Sequence, residues 1–286
     1  MGGQTVSFRL ENEGTGMKKA IVTGASGLLG RAILKTFETD PEWEVTGLAK
    51  TRARGRLICH DLLDAVATGE LLRRERPAVV IHSAAERKPD LCEGQPELTH
   101  ALNVTATATL CKAAREAGAW VLFISTDYVF DGSRPPYLPT DTPHPLNAYG
   151  ESKLGGEEAT LRAHPGNAAL RVPILYGEVE RLEESAVTAI ACSLLDSAPA
   201  KMDHWAVRRP TLVDDVAMLG VDWPVGELKS PVALDYDRDG CHDTIEDDDD
   251  DGDGVNDIVD DCAFAPSARA MACKYGDKRD GEAAVA

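Results

Sequence analysis

The segment Thr23-Gly24-Ala25-Ser26-Gly27-Leu28-Leu29-Gly30 decides the fold. It follows the apolar run Ala20-Ile21-Val22 and opens the helical pattern Arg31-Ala32-Ile33-Leu34-Lys35-Thr36-Phe37. A strand, a tight glycine turn and a helix in that order place backbone N–H groups at a helix N-terminus, where an anionic pyrophosphate can sit. The glycines fall at Gly24, Gly27 and Gly30, a G-x-x-G-x-x-G spacing rather than G-x-G-x-x-G. Three glycines alone say little, but at a first βα turn they say much. A Cβ there would hold the phosphates too far from the backbone. The turn therefore predicts a dinucleotide site, and leaves open whether chemistry is done with it.

Outward from the turn, short apolar runs alternate with helical patterns. Strands are expected at 20–23, 44–48, 57–59, 79–82, 121–124 and 168–172, with helices at 27–39, 63–75, 97–117 and 148–163. Such alternation means βαβ units, hence an α/β, Rossmann-like doubly wound parallel sheet covered on both faces. Continuous apolar strands are what double coverage requires. Gly118 stands where a helix C-cap is expected. The pattern fails after Ala217, which places a boundary near 221–234. The expected organisation is a short N-terminal arm (1–17), a dinucleotide-binding domain (18–221) and an acidic tail (222–286).

The second strand ends at Leu48-Ala49-Lys50. An NAD site would place an acidic residue about 20 residues past the turn, on the ribose 2′-hydroxyl. Here stand Lys50, Thr51 and Arg52, with Arg54 and Arg56 close behind. That cluster suits a 2′-phosphate, hence NADP(H), with a solvated basic loop as the alternative. Asp61, with Leu62 after the third strand, is open to two readings: acceptor from an adenine amino group, or an ordinary helix N-cap. His82 reads as a packed strand residue. Arg87 reads as facing a pyrophosphate or ribose, or as one half of a surface ion pair. Ser125-Thr126 ends the fifth strand, and Tyr149 and Lys153 lie four apart, on one helical face. A tyrosine, a lysine and a hydroxyl from a neighbouring strand end form a proton-transfer unit. Lysine is expected to lower the tyrosine pKa, so that Tyr149 moves a proton at a carbonyl oxygen while hydride moves on carbon.

The net charge of −18 is unevenly spread. Residues 235–262 carry −13 of it, so the rest is only mildly acidic and the tail is a polyanion. Neither part suits nucleic acid. No run of about 18 apolar residues is present, so no membrane span is expected. Residues 1–16 lack the apolar stretch of a signal peptide, and the expectation is a cytoplasmic protein. Cys59, Cys92, Cys111 and Cys192 have no metal-ligand spacing and are expected to be buried, reduced thiols.

The glycine turn, Asp61-Leu62, Ser125-Thr126, Tyr149 with Lys153, and the stretch from Arg171 to Gly177 together resemble an extended short-chain dehydrogenase/reductase. Ser125-Thr126-Asp127-Tyr128-Val129-Phe130-Asp131-Gly132 resembles the dTDP-4-dehydrorhamnose reductase branch. The stretches from Ala84 to Asp90, Pro173 to Glu180 and Leu182 to Thr188, with Met202-Asp203-His204-Trp205, are similar to the regulatory beta subunits of methionine adenosyltransferases. The likeness runs from about Lys18 to Ala217. It implies one of two activities. The reductases reduce a 4-keto-6-deoxy sugar nucleotide with NADPH. The beta subunits bind NADP and modulate a partner, the catalytic subunit that makes S-adenosylmethionine. By position, it implies cofactor contacts at Ser26, Gly27, Leu28 and Leu29, at Lys50, Thr51 and Arg52, and at Asp61, Leu62, Ser83, Arg87, Tyr149, Lys153 and Leu175. Lys50 and Thr51 depart from the aromatic residue and arginine expected there, so the 2′-phosphate grip rests mainly on Arg52. The triad Thr126, Tyr149 and Lys153 is intact, so it does not separate reductase from regulator. Both relatives continue for several dozen residues past Ala217 in a pattern not recognisable here, so the resemblance implies an incomplete small substrate domain.

In its place stand Asp235, Asp237, Asp239, Gly240, Asp243 and Glu246, at positions 1, 3, 5, 6, 9 and 12 of a calcium-loop spacing. A second copy follows, with Asp249, Asp251, Asp253, Gly254, Asp257 and Asp260. The pair resembles thrombospondin type 3 or dockerin-like repeats and implies Ca²⁺. The competing reading is a disordered polyacid. A third functional class stays open on this basis: a calcium-binding interaction module on an inert Rossmann body.

Overall fold

The structure, a computed structural model, describes residues 17–195 and 208–222. Residues 1–16 of the N-terminal arm, the Met202–Trp205 segment and residues 223–286 of the acidic tail lie outside the described residues, and with them all ten expected calcium ligands.

Strand β1 (Lys18–Thr23) leads through the glycine turn into helix α1 (Leu28–Thr39), and β2 (Trp43–Ala49) follows. Next come β3 (Ile58–Cys59), α2 (Ala65–Glu75) and β4 (Val79–His82). Short helices α3 (Pro89–Gly94) and α4 (Pro96–His100) pass through a π-turn (Ala101–Thr105) into α5 (Ala106–Ala117). The sheet is finished by β5 (Trp120–Thr126), α6 (Ala148–Ala163) and β6 (Ala168–Val172). Then follow β7 (Leu175–Tyr176), α7 (Ala186–Leu195), β8 (Thr211–Leu212) and α8 (Val213–Asp222). The six-stranded sheet has the order β3-β2-β1-β4-β5-β6, and every pairing is parallel. Strands β7 and β8 form a separate parallel pair. The order reverses between β1 and β4, and a crevice opens at such a point beyond the carboxyl ends of the strands.

Both faces of the sheet are covered. On one, Ile33 and Phe37 of α1 pack with Val22, Ile81 and Val213, and Trp43 meets Phe37 edge-on at 5.2 Å. On the other, Leu71 and Leu72 of α2 and Leu110 of α5 pack on Ile21, Val80 and Val121. Burying each such side chain contributes about 1.5–3 kcal/mol. Helix α5 stops at Gly118, whose φ of +80° suits a residue without a Cβ.

Four expectations are corrected. Strand β3 has only two residues, both exposed, because it forms the edge of the sheet. Cys59 is therefore exposed, while Cys92 and Cys111 are buried as expected. The expected helix over 97–117 is not α-helical throughout: Asn103 bonds sideways to Glu86 and Ser152, and the backbone widens into a π segment around it. Lastly, α2 is capped by Asp64, whose carboxylate accepts from Ala67 N–H at 2.9 Å, and not by Asp61.

Candidate functional site

The glycine turn is held by its own backbone. Gly27 N–H donates to the Gly24 carbonyl at 2.8 Å, and Ala25 N–H to Leu48 at 3.0 Å. Gly24 has φ +67°, and a Cβ on it would sit 2.8 Å from the amide nitrogen of Ala84. A Cβ on Gly30 would run into the Gly24 carbonyl oxygen. The turn is thus closed against side chains from both directions. Gly27 caps α1 with no side-chain acceptor, so the first-turn N–H groups keep their donor capacity.

A cleft of about 330 Å³ opens here. Gly24, Gly27, Leu28, Leu29 and Gly30 line one end of it. Ser83, Arg87 and Leu175 line its walls, and Thr126, Tyr149 and Lys153 its other end. Eleven of the expected residues thereby converge. Ser83 is tied down by donating to the Thr23 carbonyl at 2.6 Å. Arg87 reaches the Glu183 carbonyl at 3.5 Å. Below the cleft floor His82 is a packed residue, as expected. Its ring bridges the Thr23 and Thr107 hydroxyls at 2.7 and 2.9 Å, and burial, with the nearby Lys153 charge, lowers its pKa to about 3. Ser125 also lines the cleft, and its hydroxyl is the one buried side-chain polar atom without a partner among the described residues.

Other expected residues do not line the cleft. Leu62 is packed in the core. The Ser26 carbonyl accepts from Arg31 at 3.0 Å. Thr51 is exposed. The basic cluster is largely neutralised within the chain: Lys50 pairs with Asp61 at 2.7 Å, Arg52 with Glu184, and Arg56 with Glu38.

At the tyrosine end, Asn147 caps α6 by accepting from Gly150 N–H at 2.8 Å, which presents Tyr149 and Lys153 to the strand ends. The Tyr149 ring meets Tyr128 edge-on at 5.5 Å. Thr126 accepts from Tyr128 N–H and donates to Asp127, both at 3.2 Å. Lys153 does not depress the tyrosine as expected. Its ammonium donates to the Ile124 carbonyl at 2.6 Å and lies 4.0 Å from the centre of the Phe123 ring. Burial pushes the Tyr149 hydroxyl up to about 12, with a Thr126 hydrogen bond only partly opposing it. Burial also brings Lys153 down to about 7, against the pull of Glu157.

Two residues of the site have no motif in the sequence. Asn103 accepts from Glu86 N–H at 2.8 Å and donates to the Glu86 carbonyl and to Ser152 Oγ, both at 2.9 Å. It joins the β4 loop to α6 through the π-turn, and such turns recur at functional sites. An asparagine in the middle of an otherwise good helix was the available signal. Glu184 lines the cleft and is held by Arg31 and Arg52, 153 and 132 residues away. Nothing local announces it.

Fold and cleft define a Rossmann-like α/β domain with a cleft at the carboxyl ends of its strands. The chain belongs to the RmlD substrate binding domain family, which matches residues 17–224. It is similar to the methionine adenosyltransferase 2 subunit beta of Xenopus tropicalis: 47% identical over 215 residues, covering 75% of this chain and 64% of that one. The chain thus spans under two thirds of that relative's length. Among solved structures it is similar to a dTDP-4-dehydrorhamnose reductase from Clostridium acetobutylicum, with 31% identity and TM-score 0.62, covering 71% of this chain and 69% of that one. It is also similar to the Bacillus anthracis enzyme of that name, solved in complex with NADP, with 26% identity and TM-score 0.61, covering 73% and 71%.

Proposed function

We propose that this chain is an NADP(H)-binding regulatory subunit that modulates a catalytic methionine adenosyltransferase in the cytoplasm, and so acts on S-adenosylmethionine supply and one-carbon metabolism. The observation that carries this reading is the 47% identity to a subunit beta over 215 residues. The uncapped start of α1 supports dinucleotide binding, because it offers donors to a pyrophosphate. Gly24, Gly27, Leu28, Leu29 and Gly30 would cradle the phosphates, Arg52 would meet the 2′-phosphate, and Tyr149 and Lys153 would hold the nicotinamide end. Residues 18–221 form the binding domain in this reading, and 222–286 a separate appendage. The test is size-exclusion chromatography with a catalytic methionine adenosyltransferase subunit, followed by that enzyme's kinetics. Co-elution with a changed KM or kcat is expected. Independent elution and unchanged kinetics would refute the reading.

A second reading, an NADPH-dependent reductase of a sugar-nucleotide ketone, is favoured by the convergence of Thr126, Tyr149 and Lys153 in one cleft. In that reaction Tyr149 would give its proton to the ketone oxygen, and Lys153 would have to leave Ile124 to assist. NADPH absorbance in the presence of a 4-keto-6-deoxy sugar nucleotide tests it. A fall that Tyr149→Phe abolishes supports catalysis, and a flat trace removes it.

A further inference from the structure

Glu184 stands at the meeting point of two loops that grip a nucleotide in this fold. Its carboxylate is 5% exposed and lies in the cleft wall, not in the hydrophobic core. Arg31, the residue after the glycine turn, approaches it with both guanidinium nitrogens, at 2.7 and 3.4 Å. Arg52, beyond the end of β2, reaches only Oε1. Glu180 N–H donates to Oε2 at 3.1 Å. The two arginines are not equally provided for. Arg31 also bonds the Ser26 carbonyl at 3.0 Å and the Glu178 carbonyl at 3.4 Å, and lies 3.8 Å from the Glu180 carboxylate. Glu184 is the sole carboxylate partner of Arg52 among the described residues. Burial pushes the Glu184 carboxyl up, but Arg31, Arg52 and the Glu180 N–H outweigh it and bring it down to about 2, so it is ionised at neutral pH.

We propose that Glu184 is a built-in anion at the Arg52 site and a determinant of nucleotide selectivity: a ligand's 2′-phosphate takes Arg52 from it, while Glu184 stays on Arg31. This rests on the dinucleotide reading above. The exchange is possible without leaving a buried charge unpaired, which would be costly. After it, Glu184 still holds two contacts from Arg31 and one from Glu180 N–H. It is also directional, because a phosphate monoester carries about −1.5 to −2 charge and three acceptor oxygens against one charge on a carboxylate. A ribose 2′-hydroxyl offers no charge and leaves the Arg52–Glu184 pair in place. The carboxylate thus lowers affinity for the phosphorylated nucleotide without competing with the unphosphorylated one.

Calorimetric titration of the full chain with NADP⁺, NAD⁺ and adenosine 2′,5′-bisphosphate tests this. Glu184→Gln is expected to tighten NADP⁺ and the bisphosphate by about tenfold, as for the release of one charge-assisted hydrogen bond, and to change NAD⁺ by no more than roughly threefold. Arg52→Met is expected to erase the difference between NADP⁺ and NAD⁺. Glu184→Asp, whose shorter side chain cannot bridge both arginines, should show a smaller gain in the same direction and serves if the Gln variant does not fold. Unchanged or weaker NADP⁺ binding by folded Glu184 variants, with the wild type binding normally, would overturn this inference alone. Absence of binding by the wild type to all three ligands would overturn the dinucleotide reading as well.

Discussion

The two ends of the cleft differ in readiness. At the phosphate end, the glycine turn is closed by its own backbone and the start of α1 keeps uncapped donors. At the tyrosine end, Tyr149 and Lys153 share the cleft, but Lys153 does not depress the tyrosine. Lys153 is spent on the Ile124 carbonyl, and burial separates the two pKa values, Tyr149 near 12 and Lys153 near 7. General acid–base chemistry works best with a pKa near the operating pH. The start of α1 is thus open to an anion, while Lys153 is engaged by Ile124 and Tyr149 is held protonated.

This contrast can be broken at either end. The largest effect is expected from Gly30→Ala. Its methyl would collide with the Gly24 carbonyl, costing about 1–3 kcal/mol as overpacking does, and would open the turn. Thermal melting should drop by several degrees, and calorimetry should show dinucleotide binding lost. Retained binding would mean that the turn is not the grip.

A smaller effect is expected under the cleft floor. His82 has its pKa depressed by burial to about 3 from an ordinary 6.5. Between those values the unfolded chain binds the proton and the folded chain does not. The His82 contribution is thus complete above about pH 6.5 and is lost as pH falls from there toward 3. Melting temperatures of wild type and His82→Gln, which keeps polar groups between Thr23 and Thr107, should converge on going from pH 7 to pH 4.5. A constant gap would show that His82 is not held neutral.

The smallest effect is expected from Tyr149→Phe. One hydroxyl contributes about 0.5–1.5 kcal/mol, so dinucleotide affinity should change by less than about tenfold. A hundredfold loss, measured by the same calorimetry, would show that the two ends do not act separately.

Much of this molecule was legible along the chain because its determinants are local. The alternation of apolar runs and helical patterns is a local signal, and β4, α6 and β6 fall at the expected bounds. Where reading failed, non-local packing had overridden it. Edge position exposed β3 and Cys59, and the sideways bonds of Asn103 widened a helix that its sequence would continue. Tyr149 and Lys153 were recognisable from their spacing, but not their protonation, which depends on burial against β5.

The sequence by itself determined that a strand, a glycine turn and a helix come in succession, because those steps need only neighbouring residues and a missing Cβ. It also determined that cations cluster after β2. Only the tertiary structure decided that three of those cations, Lys50, Arg52 and Arg56, are already answered by carboxylates, one of them Glu184, 132 residues from Arg52. Charge is balanced in space rather than along the chain, so whether Arg52 is free to hold a phosphate could be learned only from what folds against it.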